Sequence, residues 1–131
     1  MTASEQPGAS ARDRREYYRI TVTLPIRIQR ELDETEAPFV EKPVNLSGGG
    51  LGVTIAEAYQ VNDILAVALR LPEHSLFTAF AEVVRIEPIP YPGTTYRLHA
   101  RFVRMAVKDR EILISHITRL QRDHLQNHYS A

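Results

Sequence analysis

From Ile20 to Arg30 the chain reads ITVTLPIRIQR, apolar and polar residues in strict alternation. That period of two predicts a strand with one buried face. Pro25 within it requires an edge position or a bulge, because proline has no amide to give to a ladder. The polar stretch ELDETEAP follows and reads as an exposed hairpin loop. Four more strand-like runs come after FVEKPVN: LGVTIA, DILAVALRL, LFTAFAEVVRIEP and TYRLHARFVRM, each bounded by turn residues. The insert Leu46-Ser47-Gly48-Gly49-Gly50 is short enough to be a tight hairpin, and the turn IPYPGT separates the last two runs. About six strands spaced by turns favour a small antiparallel barrel over alternating strands and helices.

After Met105 the period changes. In VKDREILISHITRLQRDHLQ, the residues Ile112, Leu113, Ile117, Leu120 and His124 recur at helical spacing. Asp109 and Glu111 stand in the first turn and Arg119 and Arg122 nearer the end, the polarity a helix dipole favours. The expectation is a mainly β chain, a six-stranded antiparallel barrel closed at one mouth by an amphipathic helix over about residues 108–125. A partner-binding helix is the competing use of that face. Residues 1–11 are small and polar and read as a disordered tail, leaving 12–131 as one folded domain.

The composition narrows the class. Of 131 residues 44% are apolar and 24% charged, the balance of a globular domain. There is no cysteine, which removes disulfides, thiolate metal sites and thiol chemistry. No apolar run approaches the roughly 18 residues of a membrane helix, and MTASEQPGASARDRR lacks the apolar stretch of a secretion signal. The chain is expected to be soluble and cytoplasmic.

Sixteen basic residues balance sixteen acidic ones, but they are segregated. Residues 12–30 carry six arginines against two acids, a net +4; residues 31–42 carry five acids against one lysine, a net −4. An all-arginine block suits an anion, since guanidinium offers a planar two-point fork to phosphate. A solvated arm is the plain alternative. Within the block, Arg15 and Arg19 are four apart with Arg14 beside them, so a turn or a strand can bring the pair together. The second candidate is Asn45-Leu46-Ser47-Gly48-Gly49-Gly50. Its glycines reach backbone angles closed to other residues, and such a turn can present amides to an anion. Asn45 and Ser47 supply side-chain donors and acceptors suited to a base edge or ribose. A plain hairpin capped by Asn45 and Ser47 is the alternative.

Other chemistry has little to stand on. No GxxxxGK[ST] loop exists, the glycine run opens no helix as a dinucleotide site requires, and Ser47 has no readable base. His124 and His128, with His116 two turns earlier, have zinc spacing, but one sits on the apolar face and the other near the chain end. No metal, cofactor or catalytic group is expected.

In order and on the expected elements, Arg15-x-x-x-Arg19 followed by Asn45-x-Ser47-x-x-Gly50 resembles the PilZ family. The resemblance extends through LGV, AEVVRIEP, YRLHARFV and the C-terminal helix, over roughly residues 12–125. It implies a six-stranded barrel that binds the second messenger cyclic di-GMP and has no enzymatic activity. By that resemblance Arg15 and Arg19, with Arg14 as an auxiliary, engage phosphate and guanine. Asn45 and Ser47 contact a guanine, and Gly48, Gly49 and Gly50 form the turn that admits it. Asn45 stands where aspartate is frequent in the family, keeping an acceptor but losing the charge. The implied action is ordering of the arginine arm on ligand binding. The signal then passes to a separate protein or through self-association into a homodimer. The rivals are a nucleotide-independent protein adaptor and a non-specific RNA or single-strand binder.

Overall fold

The structure, a computed structural model, describes residues 19–72, 75–91 and 93–130, with side chains through residue 123. The expected tail and Arg12, Arg14 and Arg15 lie outside the described residues. Six strands form: β1 (Arg19–Arg30), β2 (Val40–Ser47), β3 (Gly50–Ile55), β4 (Ile64–Leu71), β5 (Ser75–Ile89) and β6 (Thr95–Arg104). One helix, α1 (Val107–Ser130), follows them. The strands close into an antiparallel barrel in the order β1-β2-β3-β6-β5-β4.

The alternation in the sequence becomes the inside and outside of the barrel. Leu24 and Ile26 of β1, Val44 and Leu46 of β2, Val53 and Ile55 of β3 and Leu65, Val67 and Leu69 of β4 are all buried in one core. Each lies two residues from the next on its strand, as the pleat demands. Pro25 pairs with Glu41 on β2, and the ladder from β1 to β4 begins only at Ile26. At Pro25 the strand therefore has one neighbour, and the missing amide leaves no gap in a ladder.

Leu113 and Ile117 of α1 enter the same core, with His116 buried beside them. The ladder from β5 to β6 starts at Phe80. The first part of β5 therefore lacks a neighbour on that side, and Asp109 Oδ1 accepts the Thr78 amide there at 3.2 Å. A buried carboxylate in the first helical turn thus serves the helix dipole and the sheet edge together. Asp109→Ala is expected to cost about 1–3 kcal/mol, the range for a charged hydrogen bond whose partner is left unmade. A shift of the urea midpoint with unchanged slope would measure it; no shift would show that the carboxylate does not hold the helix.

Alternation fails at one place on β5. Val83 pairs with Ala100 and Arg85 with His99, so Val84 has no partner on β6. Val84 and Arg85 both face outward, and Ile86 is the next residue packed on the core. This is a β-bulge, two residues opposite one, and it re-aims every side chain after it.

Candidate ligand-binding site

Strand register gathers the outward-facing residues into a row across five strands. Thr21 of β1 pairs with Asn45 of β2, Asn45 with Gly52 of β3, Gly52 with His99 of β6, and His99 with Arg85 of β5. At one end of this row Arg19 Nη1 donates to Asn45 Oδ1 at 3.3 Å. Asn45 Nδ2 donates to Thr21 Oγ1 at 3.2 Å, which fixes the orientation of the carboxamide. Two residues far apart in sequence are thus brought together. Arg14 and Arg15 stand five and four residues before Arg19 in the chain.

Ser47 and the glycines turn out to serve the hairpin. Leu46 pairs with Leu51, so Gly48-Gly49 is a two-residue loop closed by Ser47 and Gly50. The amides of Gly49 and Gly50 both donate to Ser47 Oγ at 3.2 Å, and the hydroxyl donates to the Gly50 carbonyl at 3.3 Å. Those two amides are spent inside the turn, so they do not form an anion nest. The Gly49 carbonyl accepts the Phe102 amide at 2.8 Å, tying the loop to β6. Gly50 lies so close to β6 that an added Cβ would press on the Ala100 carbonyl oxygen.

The arginine block does not act as one unit. A strand of twelve residues separates Arg19 from Arg30, on the order of 35 Å at strand rise. Arg27 stacks on Phe39, 4.7 Å from the ring centroid, and lies 3.5 Å from Glu36; Arg30 stacks on Tyr59 at 5.0 Å. Glu31 pairs with Arg104 at 2.7 Å. The acidic hairpin therefore neutralises local arginines at the end of β1 remote from Arg19.

In their place the fold brings cations that the linear sequence did not indicate. Arg97 and His99 of β6 flank Gly52: a Cβ there would meet Arg97 Nη2 at 3.3 Å and His99 Nδ1 at 3.5 Å. Arg85 Nη2 lies 3.3 Å from His99 Nε2. Guanidinium can only donate, so Nε2 accepts and the ring proton sits on Nδ1. Consistently, burial holds the His99 pKa below the ordinary histidine value of 6.5, assisted by Arg85 and Arg97 and, more weakly, Arg19, while Glu87 opposes them. The unfolded chain then binds the proton at a higher pH than the folded one, so stability falls as pH drops through the window below 6.5. Acidification from about pH 7.5 to about 5.5 should destabilise the wild type more than His99→Gln, by a small margin given the exposure of the ring. Equal thermal shifts in both proteins would remove this cost from His99.

Among the described residues no cluster of three or more His, Asp or Glu is placed to hold a metal ion, and no helix is long and apolar enough to cross a membrane.

Residues 13–119 match the family model of the PilZ domain. A sequence comparison with curated proteins finds no match. Among solved structures, the chain is similar to the Bacillus subtilis inhibitor of motility MotI/DgrA, with 26% identity and a TM-score of 0.67 over 84% of this chain. It spans about half the length of that protein, 52%. It is also similar to the PilZ domain of Escherichia coli YcgR solved with c-di-GMP, with 21% identity and a TM-score of 0.64 over 90% of this chain and 99% of that one. A tetrameric PilZ domain from Xanthomonas campestris, self-assembled through a helical bundle, has 15% identity and a TM-score of 0.67 over 84% of this chain and 91% of that one. With most of its length matched by the family model and its barrel shared with these structures, the chain belongs to the PilZ family.

Proposed function

We propose that this chain is a receptor for cyclic di-GMP without catalytic activity, working in the cytoplasm. The observation that carries the reading is the Arg19 guanidinium set on the Asn45 carboxamide at the start of β1. Arg14 and Arg15 stand five and four residues before it in the chain and complete the arginine pair and its auxiliary. Arginine is the usual two-point partner of guanine O6 and N7 and stacks on purine faces. Two phosphodiester charges on the ligand complement the cations around Asn45. The YcgR domain solved with c-di-GMP has the same barrel.

In this reading Arg14, Arg15 and Arg19 close over the ligand beside Asn45. Ser47 and Gly48–Gly50 act through the hairpin, keeping Asn45 in register. Ligand binding orders the arm that carries Arg14 and Arg15 on the barrel beside Arg19, and the new surface engages a separate protein or a second copy. A ligand that prefers one of two states shifts the population toward it.

Calorimetric titration of the wild-type protein with cyclic di-GMP tests the proposal. Saturable heat at micromolar ligand is expected, weakened in Arg15→Ala. No heat at high micromolar concentrations would overturn it in favour of a nucleotide-independent adaptor.

A further inference from the structure

The three arginines of β6 have different fates. Arg101 is held by Glu82 at 2.7 Å and Arg104 by Glu31 at 2.7 Å. Arg97 has no carboxylate within salt-bridge distance among the described residues, only Thr54 Oγ1 at 3.5 Å. It is half-buried nonetheless, and its register partner Glu87 makes its ion pair with Arg85, at 3.7 Å. The Arg97 charge is therefore partly removed from water with no ion pair of its own, which is costly. Beside it, His99 presents Nδ1–H toward the bare backbone of Gly52, because Arg85 occupies Nε2. Gly52 is buried and contributes no side chain, so Arg97 Nη2 and His99 Nδ1 lie together over its backbone. Asn45 and His99 are two strands apart, on the order of 10 Å.

We infer that Arg97, His99 and Arg85 form a second anion subsite, across Gly52 from Arg19 and Asn45, which takes the second phosphodiester of a cyclic dinucleotide. The inference rests on the receptor reading and names the wall that reading lacks. A cyclic dinucleotide carries phosphodiesters on opposite sides of its ring, and cations on both sides of Gly52 can face one each. Arg97 supplies the fork, His99 Nδ1–H a directed single donor, and Arg85 holds the imidazole in the donating tautomer.

The charged groups facing His99 are Arg85 and Glu87 on β5, Arg97 on β6 and Arg19 on β1; Asn45 and Gly52 add none from β2 and β3. With Nε2 accepting from Arg85, the imidazole serves as a neutral donor at Nδ1 and Arg97 carries the charge that faces the ligand.

The test is calorimetric titration with cyclic di-GMP of wild type, Arg19→Ala, Arg97→Met, Glu87→Gln and His99→Gln, with thermal melts to confirm folding. Arg97→Met is expected to weaken binding about 10-fold or more, and Glu87→Gln, which removes the acid 3.7 Å from Arg85, to strengthen it. His99→Gln is expected to weaken binding less than Arg97→Met does, since it alters a neutral donor rather than a charged one. Wild-type binding lost in Arg19→Ala but unchanged in Arg97→Met and Glu87→Gln would overturn the subsite and leave the receptor reading intact. A wild type that binds no cyclic di-GMP would overturn both.

Discussion

Arg19→Ala should weaken cyclic di-GMP binding roughly 10- to 100-fold while leaving the fold almost untouched. A charge-assisted hydrogen bond contributes about 1.5–3 kcal/mol, which sets that range. Arg19 is exposed at the first residue of β1, and its described side-chain bond to Asn45 is long, at 3.3 Å. Its removal opens no cavity, so the melting temperature should stay within a degree or two. Arg19→Lys separates charge from shape: it keeps the positive charge but loses the planar fork, and should recover little of the affinity. Full recovery by lysine would mean that the site senses charge alone and reads no guanine edge. Equal binding by wild type and Arg19→Ala would remove Arg19 from the site.

The largest effect on stability is expected from Gly50→Ala. The new Cβ would press on the Ala100 carbonyl oxygen and lie 3.0 Å from Arg101 Cα. Both obstacles are backbone, so no rotamer change relieves them, and β3 must move away from β6. Overpacking of this kind costs about 1–3 kcal/mol, and strain against a ladder belongs at the upper end, with a fall in melting temperature on the order of 10 °C. The displacement passes through the Ser47 turn to Asn45, so ligand binding should weaken as well. A melting temperature unchanged by the substitution would show that the close approach of β3 to β6 is not a constraint.

The barrel was legible because its strands obey one rule. Period two along ITVTLPIRIQR states which side chains face inward, and the helical spacing of Leu113 and Ile117 states the same for α1. The first half of the candidate site was legible because Arg19 and Asn45 sit in a spaced motif. Two readings of the sequence changed. The glycine amides serve Ser47 inside the turn, two and three residues from its hydroxyl. Arg27 and Arg30 share a charge block with Arg19 but not a location, because an extended strand carries them to the other end of the barrel. The second wall was hidden for a different reason. Arg85, Arg97 and His99 are neighbours only through the β5–β6 register, and that register passes through a bulge. The one local signal was the adjacent Val83 and Val84, where two apolar residues in succession break the alternation.

That break works as a change of phase. Before Val84 the odd-numbered residues of β5, Phe77, Ala79, Ala81 and Val83, fill the interior; after it, even-numbered Ile86 does. Arg85 reaches His99 only because the count slips by one. Were Val84 paired with His99 in an unbroken ladder, Ile86 would turn to the solvent and Arg85 and Glu87 toward the core, with no change of composition or motif. In this barrel the chemistry of one wall is therefore encoded less by which residues are present than by the parity at which they arrive.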